Sequence, residues 1–297
     1  MVSEIKKSQI NEMIELAKAI QTSSGVSSSN PFSDRMAPII HSPESKHFLI
    51  RLMDVAFRSH NFDRISTYIV RLFNSTDAHK QLFNVSESIL VRLFRIIGYK
   101  LPSVSIPLML DQIQQVTSPV IFFKDSSSFK NHIAKRRKHG IELNINPIGE
   151  TLIGEHEAKE RLNKYLEILN EPKVNYVSVK LSTLHSQITA IGHDNVIEEC
   201  IERLSVLYRE VLKIKEELGV TKFINLDMEE FKDLSITYET FVRTLDKKEF
   251  KFLRAGIVLQ AYLPETYQVA KDLQAWSIKR VQSGGGPVKV RIVKGAN

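Results

Sequence analysis

The chain has 297 residues, 42% hydrophobic and 25% charged, a balance typical of soluble globular proteins. Its net charge of +7 admits an anionic partner without requiring one. Its single cysteine, Cys200, excludes an internal disulfide, and no apolar run approaches the ~18 residues of a membrane span.

The opening segment MVSEIKKSQI has no signal-peptide core, so a cytoplasmic location is expected. Helical spacing then recurs. It runs through Ile10, Met13, Ile14, Ala17 and Ile20; through Leu49, Leu52, Met53 and Ala56; and through Ile65, Tyr68, Ile69, Leu72 and Phe73. Between the first two stretches, Gln21–Asp34 is Ser-rich, holds Gly25 and Pro31, and reads as a loop. Ser86 is placed to cap a helix through Leu90, Leu93, Phe94 and Ile97 that stops at Gly98. No catalytic spacing appears in this part. The expected division is a helical N-terminal region over 1–120 and an α/β region over 121–297.

A further helix ends in Lys135–His139 (KRRKH), with Gly140 as its C-terminal cap. The cations complement the helix dipole, so the run needs no nucleic acid. Strand and helix patterns then alternate. Strands are expected at Ile141–Glu150, Val174–Ser182, Lys222–Glu230, Ala255–Leu263 and from Val288 onward. Helices are expected at Glu155–Leu169, Asn195–Leu218, Ser235–Leu245 and Pro264–Val281. Cys200 lies on an apolar helix stripe and reads as core.

This alternation implies a parallel sheet with right-handed crossovers. The strands recur about every 31 residues, the spacing of an eight-unit (β/α)8 barrel of ~250 residues. A doubly wound sheet has the same rhythm, but its Gly-rich loop should follow the first strand, where this chain has Asn146–Glu157 (NPIGETLIGEHE). Gly284–Gly286 precedes a strand and reads as a plain turn.

In a barrel, polar residues at the C-terminal strand ends are the catalytic candidates. Here they are Glu150, Lys180, Asp227, Glu229, Gln260, Arg291 and Lys294. Acids and bases around one mouth suit an anionic ligand and a large polar cofactor. The set has no metal-ligand spacing, and no metal is expected; His185 reads as an isolated loop residue. No GxSxG elbow occurs.

The stretches VSVKLS, NLDMEE, IVLQAYLP and VRIVKGAN, in this order and spacing, resemble the proline dehydrogenase family. They are most similar to the proline dehydrogenase part of bifunctional bacterial proline-utilisation enzymes, over about residues 120–297. The IGE after the first strand fits as well.

The resemblance implies an FAD-containing (β/α)8 TIM-type barrel, here ending after its fifth strand, so that the sequence is expected to be a fragment with little or no activity of its own. It implies oxidation of L-proline to pyrroline-5-carboxylate, with a hydride passed to the flavin and electrons on to a quinone. Carried over, Lys180 binds the substrate carboxylate and Asp227 is an active-site acid. Met228 touches FAD, Gln260 bonds the isoalloxazine, and Arg291 lies near the flavin's redox edge. Lys294, Gly295 and Ala296 meet the ribityl-phosphate region. Peripheral membrane contact and a C-terminal aldehyde dehydrogenase module are further implications. Two other readings stay open on the residues alone: another (β/α)8 enzyme for a small anionic substrate, and a non-enzymatic basic binding module.

Overall fold

The computed structural model describes residues 7–23, 39, 41–58, 61–77, 83, 85–96, 98–117, 127–147, 152, 154–186, 188, 193–228 and 230–294. The chain divides into two compact units, Met1–Lys124 and Asp125–Asn297.

The first unit is helical. Its helices are α1 (Lys7–Ser23), α2 (Pro43–Arg58), α3 (Phe62–Ser75), α4 (Val85–Ile96) and α5 (Pro102–Thr117). Asn61 caps α3 by accepting from the Arg64 N–H at 3.0 Å. The apolar stripe of α3 then buries Ile65, Ile69, Leu72 and Phe73. Phe73 packs against Phe48 and Phe83, with ring centroids 5.4 and 6.0 Å apart, and Phe94, Ile106 and Met109 complete this core. Three expectations shift. Helix α1 runs on through Gln21–Ser23, while 24–34 lie outside the described residues. Helix α4 begins at Val85, ahead of the expected Ser86 cap. Helix α5 is unannounced by periodicity and carries Pro107 in its interior.

The second unit opens with α6 (Ser127–Lys138), which Gly140 closes at φ +72°, a left-handed conformation natural to glycine. Five strands follow: β1 (Asn144–Ile145), β2 (Tyr176–Lys180), β3 (Phe223–Asp227), β4 (Ala255–Gln260) and β5 (Val288–Val293). Between them run α7 (Glu155–Asn170), α8 (His193–Leu218), α9 (Leu234–Leu245) and α10 (Pro264–Gln282). The strands form one parallel sheet in the order β1-β2-β3-β4-β5. Each helix therefore carries the chain from one strand to its immediate neighbour, the winding of a βα barrel.

Alternation gives the sheet two faces. Val177, Val179, Ile224, Leu226, Ala255, Ile257 and Leu259 join the core built with Tyr165, Leu204, Phe241 and Leu273 of the helices. Cys200 is wholly buried in that core, as its neighbours implied. The other face carries Ser178, Lys180, Asn225, Asp227, Gly256, Val258, Gln260, Lys289 and Arg291. In the Gly284–Gly286 turn, a Cβ on Gly286 would come within 2.6 Å of Leu253 O, so backbone contact requires glycine there.

Candidate active site

Sheet register sets the geometry. Lys180 pairs with Asp227, Leu226 with Ile257, and Val258 with Arg291. Continuing the β3–β4 register by one residue places Lys180, Asp227, Val258 and Arg291 in a single row across four strands. Arg291 reaches over the short Val258 side chain and donates from Nη2 to Asp227 Oδ1 at 2.7 Å. One row closer to the N-terminal ends, Gly256 makes a similar gap. A Cβ there would lie 2.6 Å from Asn225 Oδ1. Across that gap Lys289 Nζ approaches the rings of Tyr176 and Phe223, 4.9 and 5.7 Å from their centroids.

Asp227 is the hub. Besides Arg291, its Oδ1 accepts from Asn225 Nδ2 at 2.7 Å and Ser178 Oγ at 3.1 Å. Its Oδ2 accepts from Asn146 Nδ2 at 3.2 Å. Asn144 Nδ2 in turn donates to Ser178 Oγ at 2.8 Å. Asp227 is buried while the Arg291 side chain is 38% exposed, so the pair faces outward at its cationic end. Arg291 Nε is buried with no hydrogen-bond partner among the described residues.

The neighbouring strand ends are fixed by their own bonds. Gln260 is buried and donates from Nε2 to Met228 O at 3.2 Å, while the Met228 side chain joins the helix-side core. Lys180 is half-buried. Its carbonyl accepts from Thr183 Oγ1 at 2.7 Å. Thr183 has spent its proton there, so the Tyr165 hydroxyl, 2.8 Å away, must donate to Thr183. Burial pushes the Tyr165 phenol above its ordinary value, with Asp227 adding to that push, while the Thr183 bond works against it. Lys294 is exposed, and its carbonyl accepts from the Tyr262 N–H at 3.2 Å. Glu150, Glu229, Gly295 and Ala296 lie outside the described residues.

The structure thus brings Lys180, Asp227 and Arg291 together in one row, with Gln260 at the end of the strand between. It adds Asn144, Asn146, Ser178 and Asn225, which sequence reasoning missed. The signal for two of them was available: Ser178 and Asn225 stand two residues before Lys180 and Asp227, so period-two alternation puts them on the same face. Asn144 and Asn146 share that phase on β1 and just beyond it.

His185 is not isolated, contrary to the sequence expectation. Its Nδ1 lies 3.3 Å from Glu199 Oε2 and 3.7 Å from Glu155 Oε1. Arg203 bonds Glu155 and the Leu184 carbonyl beside it. Burial pushes the Glu155 carboxyl up, but hydrogen bonds from Arg203 and Ser186 and the Arg203 charge outweigh it and hold the group below its ordinary value.

Among the described residues no helix is long and apolar enough to cross a membrane. No curated protein matches the chain by sequence. Among solved structures, proline utilization A from Corynebacterium freiburgense is 37% identical, over 64% of this chain and 19% of its own, with a TM-score of 0.58. Proline utilization A from Bdellovibrio bacteriovorus, inactivated by N-propargylglycine, is 22% identical over 94% of this chain and 28% of its own, with a TM-score of 0.66. A Bradyrhizobium japonicum proline utilization A mutant is 17% identical over 99% of this chain and 32% of its own, with a TM-score of 0.58. The last two likenesses concern the fold alone. All three proteins are several times longer than this chain. The sequence model of the proline dehydrogenase family matches residues 129–297, more than half of the chain, and the chain belongs to the proline dehydrogenase family.

Proposed function

We propose that the second unit contributes to an FAD-dependent oxidation of L-proline to pyrroline-5-carboxylate. The observation that carries this reading is the row Lys180–Asp227–Arg291, with one Arg291 donor still unbonded. The donor set fits a flavin. Arg291 offers a fixed cation and a buried Nε–H, Gln260 is a buried amide held at the neighbouring strand end, and Asp227 orients the cation. Gln260, Arg291, Lys294, Gly295 and Ala296 would hold the cofactor, and Met228, whose side chain joins the helix-side core, would meet it only through its backbone. Bound there, FAD would supply the hydride-accepting chemistry, with a quinone as the final electron acceptor.

The chain's own residues do the rest. Lys180 supplies a point charge for the substrate carboxylate. Arg291 opposes negative charge that develops on reduction, and its pairing with Asp227 keeps it in place before any ligand arrives. Ser178, Asn225 and Asn146 hold Asp227 in place by donating to its carboxylate. The five strands would be the first five of an eight-stranded barrel, and an aldehyde dehydrogenase module would be its partner. Peripheral contact with a membrane would bring the quinone within reach.

The test is an anaerobic visible spectrum before and after L-proline, on this chain and on one extended past Asn297. A flavin band that bleaches with proline supports the reading. An extended protein that purifies without flavin and takes none up refutes it. In a flavin-loaded protein, Arg291→Met should slow bleaching by about 100-fold.

A further inference from the structure

Among the described residues away from the strand-end row, one buried side chain has a nitrogen without a hydrogen-bond partner. His185 is 8% exposed, and its Nδ1 is buried without a hydrogen-bond partner. Its backbone N–H donates to Leu181 O at 2.9 Å, which anchors the residue just beyond the C-terminal end of β2. Two carboxylates from separate helices face the nitrogen: Glu199 Oε2 of α8 at 3.3 Å and Glu155 Oε1 of α7 at 3.7 Å. The three ligand atoms lie within 4.8 Å of one another. We propose that Glu155, His185 and Glu199 bind a divalent transition-metal cation of the zinc class, tying the start of α7 and the loop after β2 to α8.

The separations support a shared ion. Metal–ligand bonds of ~2.0–2.1 Å in a tetrahedron place neighbouring ligand atoms about 3.3 Å apart. The His185–Glu199 spacing has that value, while Glu155 Oε1, which accepts from Ser186 Oγ at 3.0 Å, stands 3.7 Å from His185 and would close in on the ion. Both carboxylates are half exposed, at 50% and 52%, so they can adjust and water can complete the coordination. An imidazole with two carboxylates suits zinc or cobalt. Calcium prefers six to eight oxygens and would be poorly served.

Arg203 shares this corner. Its guanidinium bonds Glu155 through Oε2, the oxygen away from His185, which is the position of an outer partner that orients a ligand. Its second contact, 3.4 Å from Glu199 Oε2, is longer and is the one a cation would loosen. The rival arrangement is a metal-free cluster in which His185 and Arg203 alone neutralise the two acids.

The test uses the full chain, freed of metal with a chelator. Titration with Co2+ followed by its visible bands, and with Zn2+ by calorimetry, should show one saturating equivalent. His185→Asn and Glu199→Gln should each weaken binding at least ~tenfold. Glu199 is half exposed, so that variant keeps its fold, which circular dichroism can verify. Equal Ca2+ should not displace Co2+. Absence of saturable binding in the parent chain, unchanged affinity in Glu199→Gln, or ready displacement by Ca2+ would each overturn the proposal. The readout needs no flavin, so it stands or falls apart from the proline reading.

Discussion

The two units bury different kinds of polar group. Among the described residues, the helical unit buries only serines, Ser45 and Ser66, while the sheet unit buries Lys222, Asp227, Asp233, Arg280 and His185. Helices satisfy most of their own backbone, so a helical core can stay apolar. A wound sheet leaves carbonyls at every helix end and turn, and these need donors. Within the sheet unit the buried charges then divide again along the strands. Before the strands begin, Lys222 donates to Glu171 O and Val174 O, and Arg280 donates to the carbonyls of Leu245, Phe250, Lys251, Leu253 and Gly286. Where β3 ends, the Asp227 carboxylate is held by the side chains of Asn146, Ser178, Asn225 and Arg291. Cations bonded to backbone carbonyls are architecture. The Asp227 carboxylate is instead held by side chains, beside an Arg291 Nε–H without a partner among the described residues.

The largest effect that follows is at Arg280. Burial pulls its guanidinium below the ordinary value, with Asp246 and Tyr208 pulling the other way, so the charge is kept despite an unfavourable setting. Arg280→Ala would leave the carbonyls of Leu245, Leu253 and Gly286 without a donor, while Phe250 O and Lys251 O keep the N–H groups of Leu253 and Gly286. With each buried unsatisfied group costing ~1–3 kcal/mol and partial rescue by water, the expected loss is at least about 3 kcal/mol in urea unfolding. A loss under about 1 kcal/mol would dissolve the distinction between architectural and ligand-directed charge.

Sequence reading found the sheet unit more readily than the helical one, and the reasons are local. The starts and ends of α7, α9 and α10 fall within a residue of expectation because Gly154, Pro264 and the apolar periodicity mark them. In the helical unit, α5 escaped notice because Pro107 interrupts its pattern, and the spaced Ile10, Met13, Ile14 and Ile20 of α1 turn out exposed. At the site, charged strand-end residues were visible as individuals. The hydrogen-bond tree under Asp227 was not, because Ser178 and Asn225 look like ordinary strand polar residues until register sets them side by side. The Glu155–His185–Glu199 cluster joins residues 30 and 14 positions apart, on two helices and a loop, and no local pattern connects them.

An intermediate effect is expected at Asp227. Asp227→Ala leaves the buried Ser178 and Asn225 donors unbonded, whereas Arg291 and Asn146 can turn toward water. The loss should therefore be about 1–3 kcal/mol, smaller than at Arg280. A double-mutant cycle with Arg291→Met should give a coupling of about 1 kcal/mol, reduced by the exposure of the arginine. If Asp227→Ala cost more stability than Arg280→Ala, the carboxylate would be the architectural group.

The smallest effect lies in the middle of the sheet unit's core and appears only at high pH. Burial pushes the Cys200 thiol from 9.0 up to about 12, with Arg203 drawing it down and Glu199 and Asp233 adding to the rise. The folded chain therefore keeps a proton that the unfolded chain releases above pH 9. The stability tied to this difference is complete below pH 9 and is lost as the pH climbs toward 12. At pH 10 the loss is about 1 kcal/mol. Burial raises the Tyr165 and Tyr208 phenols as well, so these groups add losses of the same sign at still higher pH. Urea unfolding of the parent chain and of Cys200→Ala at pH 8 and pH 10 separates the contributions. The alanine variant is weaker at both values through lost packing, but its stability should fall about 1 kcal/mol less between them. Equal falls would mean that the thiol reaches water in the folded chain, and the core around Cys200 would then be looser than its burial among Ile197, Ile201 and Leu204 requires.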